Sequence, residues 1–169
     1  MHESARNEMA RLIEKHSDAP AGVLDVGSYD VNGSYRDMFD LEQTQYCGVD
    51  IRKGPGVDIV VGEYSPLPLM RSNQERWPLV VSGSTLEHCL NPFRLVQRIA
   101  DAMAPGGIFV CTTPAMFHYH EHPIDCFRFW PAGLASVCEE AGLEVLEAYF
   151  IEIKPTKVDT YAVARKPED

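Results

Sequence analysis

Apolar residues recur along the chain in two rhythms. Met9, Leu12 and Ile13 stand three or four positions apart within Glu3–His16, the spacing of one helix face, and Ser17-Asp18-Ala19-Pro20 ends that helix. Short continuous apolar runs follow. Residues 21–26 (AGVLDV) stop at Gly27 and predict a buried strand, with further strands at Gln45–Asp50 (QYCGVD), 57–61 (VDIVV), 78–82 (PLVVS) and 108–112. A short helix is predicted over 33–39. The stretch 63–77, with Pro66 and Pro68, reads as mostly loop with room for one helical turn. Helical spacing returns at 91–103 with Phe93, Leu95, Val96, Ile99, Ala100 and Met103, where Asn91 is the predicted N-cap and Pro92 the first helical residue. Pro105-Gly106-Gly107 predicts a sharp turn, and 131–141 a helix stopped by Gly142. Two final strands, 144–153 and Lys157–Arg165, flank a turn containing Pro155.

Alternating strands and helices predict an α/β fold, a Rossmann-like doubly wound sheet that is mostly parallel, with right-handed crossovers. The last two strands lie too close for a helical crossover, so they form a C-terminal antiparallel hairpin. With no repeat and no low-complexity tract, the 169 residues read as a single domain, an N-terminal helix up to residue 20 and a core over 21–165.

Composition narrows the partners. Hydrophobic residues at 45% and charged residues at 24% are ordinary for a globular protein. No apolar run reaches the ~20 residues of a membrane span, and the first residues lack a signal-peptide centre, so a cytoplasmic protein is expected. The net charge of −10 argues against nucleic acid, whose binders neutralise phosphates with Lys and Arg. Cationic pairs occur only at Arg52-Lys53 and Arg165-Lys166. The five cysteines include no CxxC, which indicates neither a disulfide framework nor a zinc ribbon.

Ligands of doubly wound sheets sit beyond the carboxyl ends of the strands, where strand order reverses. Four groups of residues fall there. Asp25, Gly27 and Ser28 follow the first strand; Gly27 permits a tight turn, and the next helix is expected to offer backbone N–H groups to a carboxylate. Asp50, beside Ile51, ends the second strand, and a carboxylate there can accept ribose hydroxyls. Glu63 and Tyr64 follow the third strand and can meet an adenine. Ser82 and Gly83 end the fourth and leave room for a ligand. A glycine turn followed ~20 residues later by an acid is a ribose-binding arrangement. A nicotinamide dinucleotide would need room for a pyrophosphate. Here Tyr29 stands where a second glycine is usual, and Asp30 adds like charge beside it. A cationic ligand, S-adenosylmethionine, suits such a turn better.

These residues resemble the class I S-adenosylmethionine-dependent methyltransferases over nearly the whole chain. VLDVGS (Val23 to Ser28) is similar to the family's first motif, GVD (Gly48 to Asp50) to its ribose-binding acid, and VVGE (Val60 to Glu63) to the segment whose acid meets adenine. TLEH (Thr85 to His88) with Asn91-Pro92 resembles the segment after strand four, and APGG (Ala104 to Gly107) the turn before strand five. GSYDVNGS, in place of a G-x-G continuation, resembles a small bacterial subgroup that also shows HPxDxxRF, here His122 to Phe129. The resemblance implies about seven strands, S-adenosylmethionine as cofactor, and methyl transfer to an acceptor it does not name.

The acceptor is expected after strands four and five. His88 can act as a base near neutrality or pack its loop. Phe117-His118-Tyr119-His120-Glu121-His122-Pro123-Ile124-Asp125 is the most unusual segment. In an extended chain His118, His120 and His122 share one side. They can wall a pocket, bind a metal with Asp125, hold an acceptor with Arg128, or serve structure alone. A metal needs supporting residues that a sequence does not display, so none is assigned. The catalytic candidates are His88, His120 and Asp125. The leading acceptor class is a small molecule or a sugar or lipid precursor, with room for a homodimer to cover it. Two alternatives are a non-catalytic module that binds a partner or metal through His118 to His122, and a nicotinamide-dependent oxidoreductase.

Overall fold

The computed structural model describes residues 3–71 and 75–168. Seven strands form one sheet: β1 (Gly22–Val26), β2 (Gln45–Asp50), β3 (Ile59–Val60), β4 (Trp77–Gly83), β5 (Met103–Met116), β6 (Glu144–Lys154) and β7 (Lys157–Arg165), in the order β3-β2-β1-β4-β5-β7-β6. The first five pair in parallel, while β7 pairs antiparallel with both β5 and β6. The predicted α/β sheet, its terminal hairpin included, is present. Strand order reverses at β1, which lies between β2 and β4, so the loops leaving β1 and β4 diverge and open a crevice at their carboxyl ends.

Alternation of side chains distributes the core over two faces. Leu24, Val26, Val80, Phe109 and Cys111 point toward α2 (Pro92–Ala102) and α3 (Pro131–Glu140), where Val96, Ile99, Leu134 and Val137 meet them. Val23, Leu79, Val81, Val110 and Val163 point the other way, against Met9, Leu12 and Ile13 of α1 (Glu3–His16). The helical spacing of those three α1 residues is the face that buries. Asn91 caps α2, its Oδ1 accepting from the Arg94 N–H at 3.0 Å, with Pro92 at the first turn as predicted. Lys166 closes the other end by donating to the carbonyls of Ala100 and Met103. The buried Trp77 donates its indole N–H to the Pro68 carbonyl at 2.6 Å and ties down the loop before β4.

Two local predictions change. The helix expected over 33–39 is only a 3₁₀ turn, Arg36–Met38. Asp30 accepts from the Gly33 N–H at 2.6 Å and Ser34 Oγ from the Arg36 N–H at 3.1 Å, so side chains take the backbone donors a helix would have used. Pro105-Gly106-Gly107 does not separate α2 from a short strand. It lies within the 14-residue β5, where Gly106 adopts φ +72° and its N–H donates to the Lys166 carbonyl. The 63–77 stretch is loop as expected, with one turn closed from the Ser65 N–H to the Gly62 carbonyl at 3.0 Å, until Trp77 opens β4; its residues 72–74 lie outside the described residues.

Among the described residues no helix is long and apolar enough to cross a membrane. The cysteines are all free thiols, with Cys47, Cys111 and Cys138 buried. Leu12 is fully buried where α1 covers its face of the sheet. Leu12→Ala is expected to lower unfolding free energy by about 2–5 kcal/mol, read from the denaturant midpoint at unchanged slope.

Candidate active site

A cavity of about 720 Å³ opens along the carboxyl ends of β1, β2 and β4. That lies within the range of small-molecule sites. Its first half is built by β1 and β2. Gly27 turns the chain at φ +83°, and a Cβ there would overlap the Thr85 side chain, so both backbone and space demand glycine. Its N–H and that of Ser28 donate to the Val49 carbonyl, at 2.9 and 3.1 Å. These donors are therefore spent within the sheet. Because no helix follows β1, the expected helix N-terminus for a carboxylate is not formed.

Asp50 ends β2 at the cavity wall. Its Oδ1 accepts from the Arg52 N–H at 3.0 Å and its Oδ2 from the Tyr29 N–H at 3.3 Å. Two backbone donors hold the carboxylate still while each oxygen keeps a free lone pair. Asp25 lies deeper, 3% exposed, and accepts the Tyr46 hydroxyl proton at 2.5 Å. Burial pushes its carboxyl up to about 7, and the Tyr46 hydrogen bond opposes the rise. Ser28 Oγ and the Tyr35 hydroxyl are buried with no hydrogen-bond partner among the described residues, and both residues line the cavity.

The second half is built by the segment after β4. There Leu86–His88 makes a 3₁₀ turn, and the Glu87 carbonyl accepts from the N–H groups of Cys126 and Phe127. That pins the histidine-rich loop against the turn. His88 donates from Nδ1 to the Ile124 carbonyl at 2.5 Å; this orients the ring, and burial holds its pKa below the usual imidazole value. The His120 ring stands edge-on to it, centroids 4.9 Å apart. Glu87 is fully buried, Thr113 Oγ1 donates to its Oε2 at 3.0 Å, and Oε1 has no hydrogen-bond partner among the described residues. Desolvation pushes this carboxyl up to about 7.

The expected residues do not all arrive together. Asp25, Gly27, Ser28, Asp50, Ile51, Glu63, Tyr64, Gly83, His88 and His120 line the cavity. Glu63 and Tyr64 are exposed at its edge, where the Arg94 guanidinium covers the Tyr64 ring. Ser82 is a correction. It is 1% exposed, lies off the cavity wall, and donates its hydroxyl to the Val26 carbonyl at 2.8 Å, joining β4 to β1. Asp125 is a second correction. It lies off the cavity, accepts the His120 N–H at 2.7 Å and binds Arg128 through both oxygens, an ion pair that holds its carboxyl well below the usual range. The rings of His118, His120 and His122 follow one another at centroid spacings of 6.0 Å, and Asp125 Oδ2 stands 3.3 Å from His120 Nδ1; His120 and His122 line the cavity, while His118 is exposed off its wall. Glu87 was overlooked, although an acid inside the apolar-flanked TLEHCL is a visible irregularity.

A family profile described as a methyltransferase domain matches residues 1–148. The chain belongs to the methyltransferase domain family. With the family come S-adenosylmethionine as methyl donor and the methyltransferase class, which sets aside the nicotinamide alternative. No curated protein matches the sequence. Among solved structures, the methyltransferase is similar to the 1,6-didemethyltoxoflavin-N1-methyltransferase of Burkholderia thailandensis, solved with 1,6-didemethyltoxoflavin and S-adenosylhomocysteine, at 19% identity and TM-score 0.75 over 98% of this chain and 79% of that one. It is also similar to the N-methyltransferase NodS of Bradyrhizobium japonicum WM9 in complex with S-adenosylhomocysteine, at 14% identity and TM-score 0.69 over 98% and 87%. The [4+2]-cyclase SpnF shares the fold at 15% identity and TM-score 0.67 over 99% and 83%. Likeness of fold therefore carries the architecture, and the family match carries the enzyme class.

The cavity suits the donor's chemistry. Two acids, Asp25 and Asp50, face a region where the ligand would bring an ammonium and a sulfonium, and Ser28 and Tyr35 offer unpartnered hydroxyls. An acid whose pKa is raised in the folded state contributes stability below its unfolded pKa, near 4, and loses it as pH rises through the folded value. Ligand-free wild type is therefore expected to lose melting temperature relative to Asp25→Asn between about pH 4 and 7. Parallel melting curves across that window would refute the assignment.

Proposed function

We propose that this methyltransferase acts on a small-molecule acceptor, held between the Glu87–His88 turn and His120, with the donor's ribose on Asp50. The carrying observation is continuity: the Asp50 wall and the His88–His120 wall belong to one cavity. The acceptor class draws further support from the toxoflavin-precursor methyltransferase of similar fold, and from a net charge that disfavours nucleic acid.

Bound S-adenosylmethionine supplies an electrophilic methyl. The chain's own residues then orient the acceptor, a contribution of ~7–11 kcal/mol when the geometry is right. His88, its Nδ1 committed to Ile124, presents Nε2 as a neutral base able to take the acceptor's proton, an effect of roughly 10²–10⁴-fold. Asp125 acts as a positioning residue, holding the His120 backbone and ring.

Two measurements test this reading. Asp50→Ala is expected to weaken S-adenosylhomocysteine binding by about 1.5–3 kcal/mol, roughly 10–100-fold, in titration calorimetry. An acceptor screen read by S-adenosylhomocysteine release should identify a substrate. With that substrate, His88→Gln should lower kcat by about 10²–10⁴-fold at unchanged donor affinity. Failure of wild type to bind S-adenosylhomocysteine at millimolar concentration would end the proposal.

A further inference from the structure

The acceptor half of the cavity holds more than a base. Glu87, His88 and His120 each offer a ligand atom, and these atoms all lie within 4.8 Å of one another. Glu87 Oε1 is 3.7 Å from His88 Nε2. Two ligand atoms on one tetrahedral zinc ion, each ~2.0–2.2 Å from it, stand about 3.4 Å apart. The Glu87–His88 pair is thus close to ligand spacing, and the partly exposed His120 needs a modest side-chain adjustment.

The surroundings are those of a ligand set. His88 Nδ1 is committed to the Ile124 carbonyl, which leaves Nε2 to carry the lone pair. His120 Nδ1 is engaged by the His118 carbonyl at 3.1 Å and by Asp125 Oδ2 at 3.3 Å, so Nε2 is again the free nitrogen. Asp125 is fixed in turn by Arg128. Thr113 occupies Glu87 Oε2 and leaves Oε1 without a hydrogen-bond partner inside a fully buried side chain. Outer hydrogen bonds of this kind set the tautomer and aim of metal-binding histidines. A carboxylate oxygen of this buried acid lies within 4.8 Å of a ring nitrogen of each histidine.

We propose that Glu87, His88 and His120 bind one divalent first-row transition-metal ion, through one carboxylate oxygen and two Nε2 atoms. Imidazole ligation favours such ions over magnesium and calcium, which prefer oxygen. Three protein ligands leave the ion open on the cavity side. There it would lower the pKa of an acceptor's O–H or N–H group, whose proton would pass to solvent water before the methyl is transferred; with the ion bound, His88 serves as a ligand in place of the base. This last step rests on the methyl-transfer reading above; the binding of the ion does not.

The test is a Co²⁺ titration of the full chain without a histidine tag, followed by visible absorption, with Zn²⁺ competition and a parallel S-adenosylhomocysteine titration without metal. One ion per chain is expected. Glu87→Gln and His120→Gln should each weaken it by more than ~100-fold, and Asp125→Asn by about 10–100-fold. His118→Gln, altering an exposed ring outside the set, should leave it unchanged. Circular dichroism reports folding of each variant; if Glu87→Gln unfolds, His120→Gln decides alone. Absence of an ion in wild type, an undiminished signal in His120→Gln, or its loss in His118→Gln overturns the proposal. S-adenosylhomocysteine binding without cobalt uptake sinks the metal alone, and the converse sinks only the proposed donor site.

Discussion

The Val26 carbonyl accepts from two hydroxyls at the end of the neighbouring strand, Ser82 at 2.8 Å and Thr85 at 3.3 Å. One residue later Gly27 turns out of the sheet in a left-handed conformation, with the Thr85 side chain filling the place a Cβ would take. This contact holds β1 and β4 together where their loops part. The crevice on which the site depends exists because the strands stay bonded to that level and the chains separate above it. A larger residue at 27 would push the post-β4 segment away from the cavity it walls.

From this junction the post-β4 segment builds the opposite wall of the cavity. The 3₁₀ turn Leu86–His88 projects Glu87 inward and His88 along the cavity, and the Glu87 carbonyl fastens the loop that brings His120 opposite. Burying Glu87 is costly, and a backbone hydrogen bond and the Thr113 hydroxyl offset only part of that cost. The arrangement disfavours the charged form and raises the carboxyl's pKa, and shifts of this kind cluster at functional sites.

Much of the β1–β2 wall of the cavity was legible in the sequence. Gly27 and Asp50 are recognisable because a tight turn needs glycine and an acid ending a strand faces the crevice, and both features are local to their strand ends. Ser82 was misplaced because alternation along β4 sends its side chain to the neighbouring strand, and two adjacent residues of a strand face opposite ways. The opposite wall was only partly legible. His88 and His120 were visible by type, while Glu87 was hidden in an apolar segment whose buried acid gains its partners from β5.

Periodicity, glycine placement and the close spacing of the last two strands determined the α/β class, the helices α1, α2 and α3, and the terminal hairpin, since each depends on neighbours in the chain. Tertiary structure decided the rest: the chain after β1 stays a loop because Asp30 and Ser34 bind its backbone, and β5 grows through the Pro105-Gly106-Gly107 turn because the segment around Lys166 bonds to it. It also decided which histidine faces which acid. The Glu87 carbonyl, far back along the chain, accepts from the Cys126 and Phe127 N–H groups and sets the loop so that His120 lies edge-on to His88 while His118 stays exposed. Such pairings are energies between separate elements, and no local pattern encodes them.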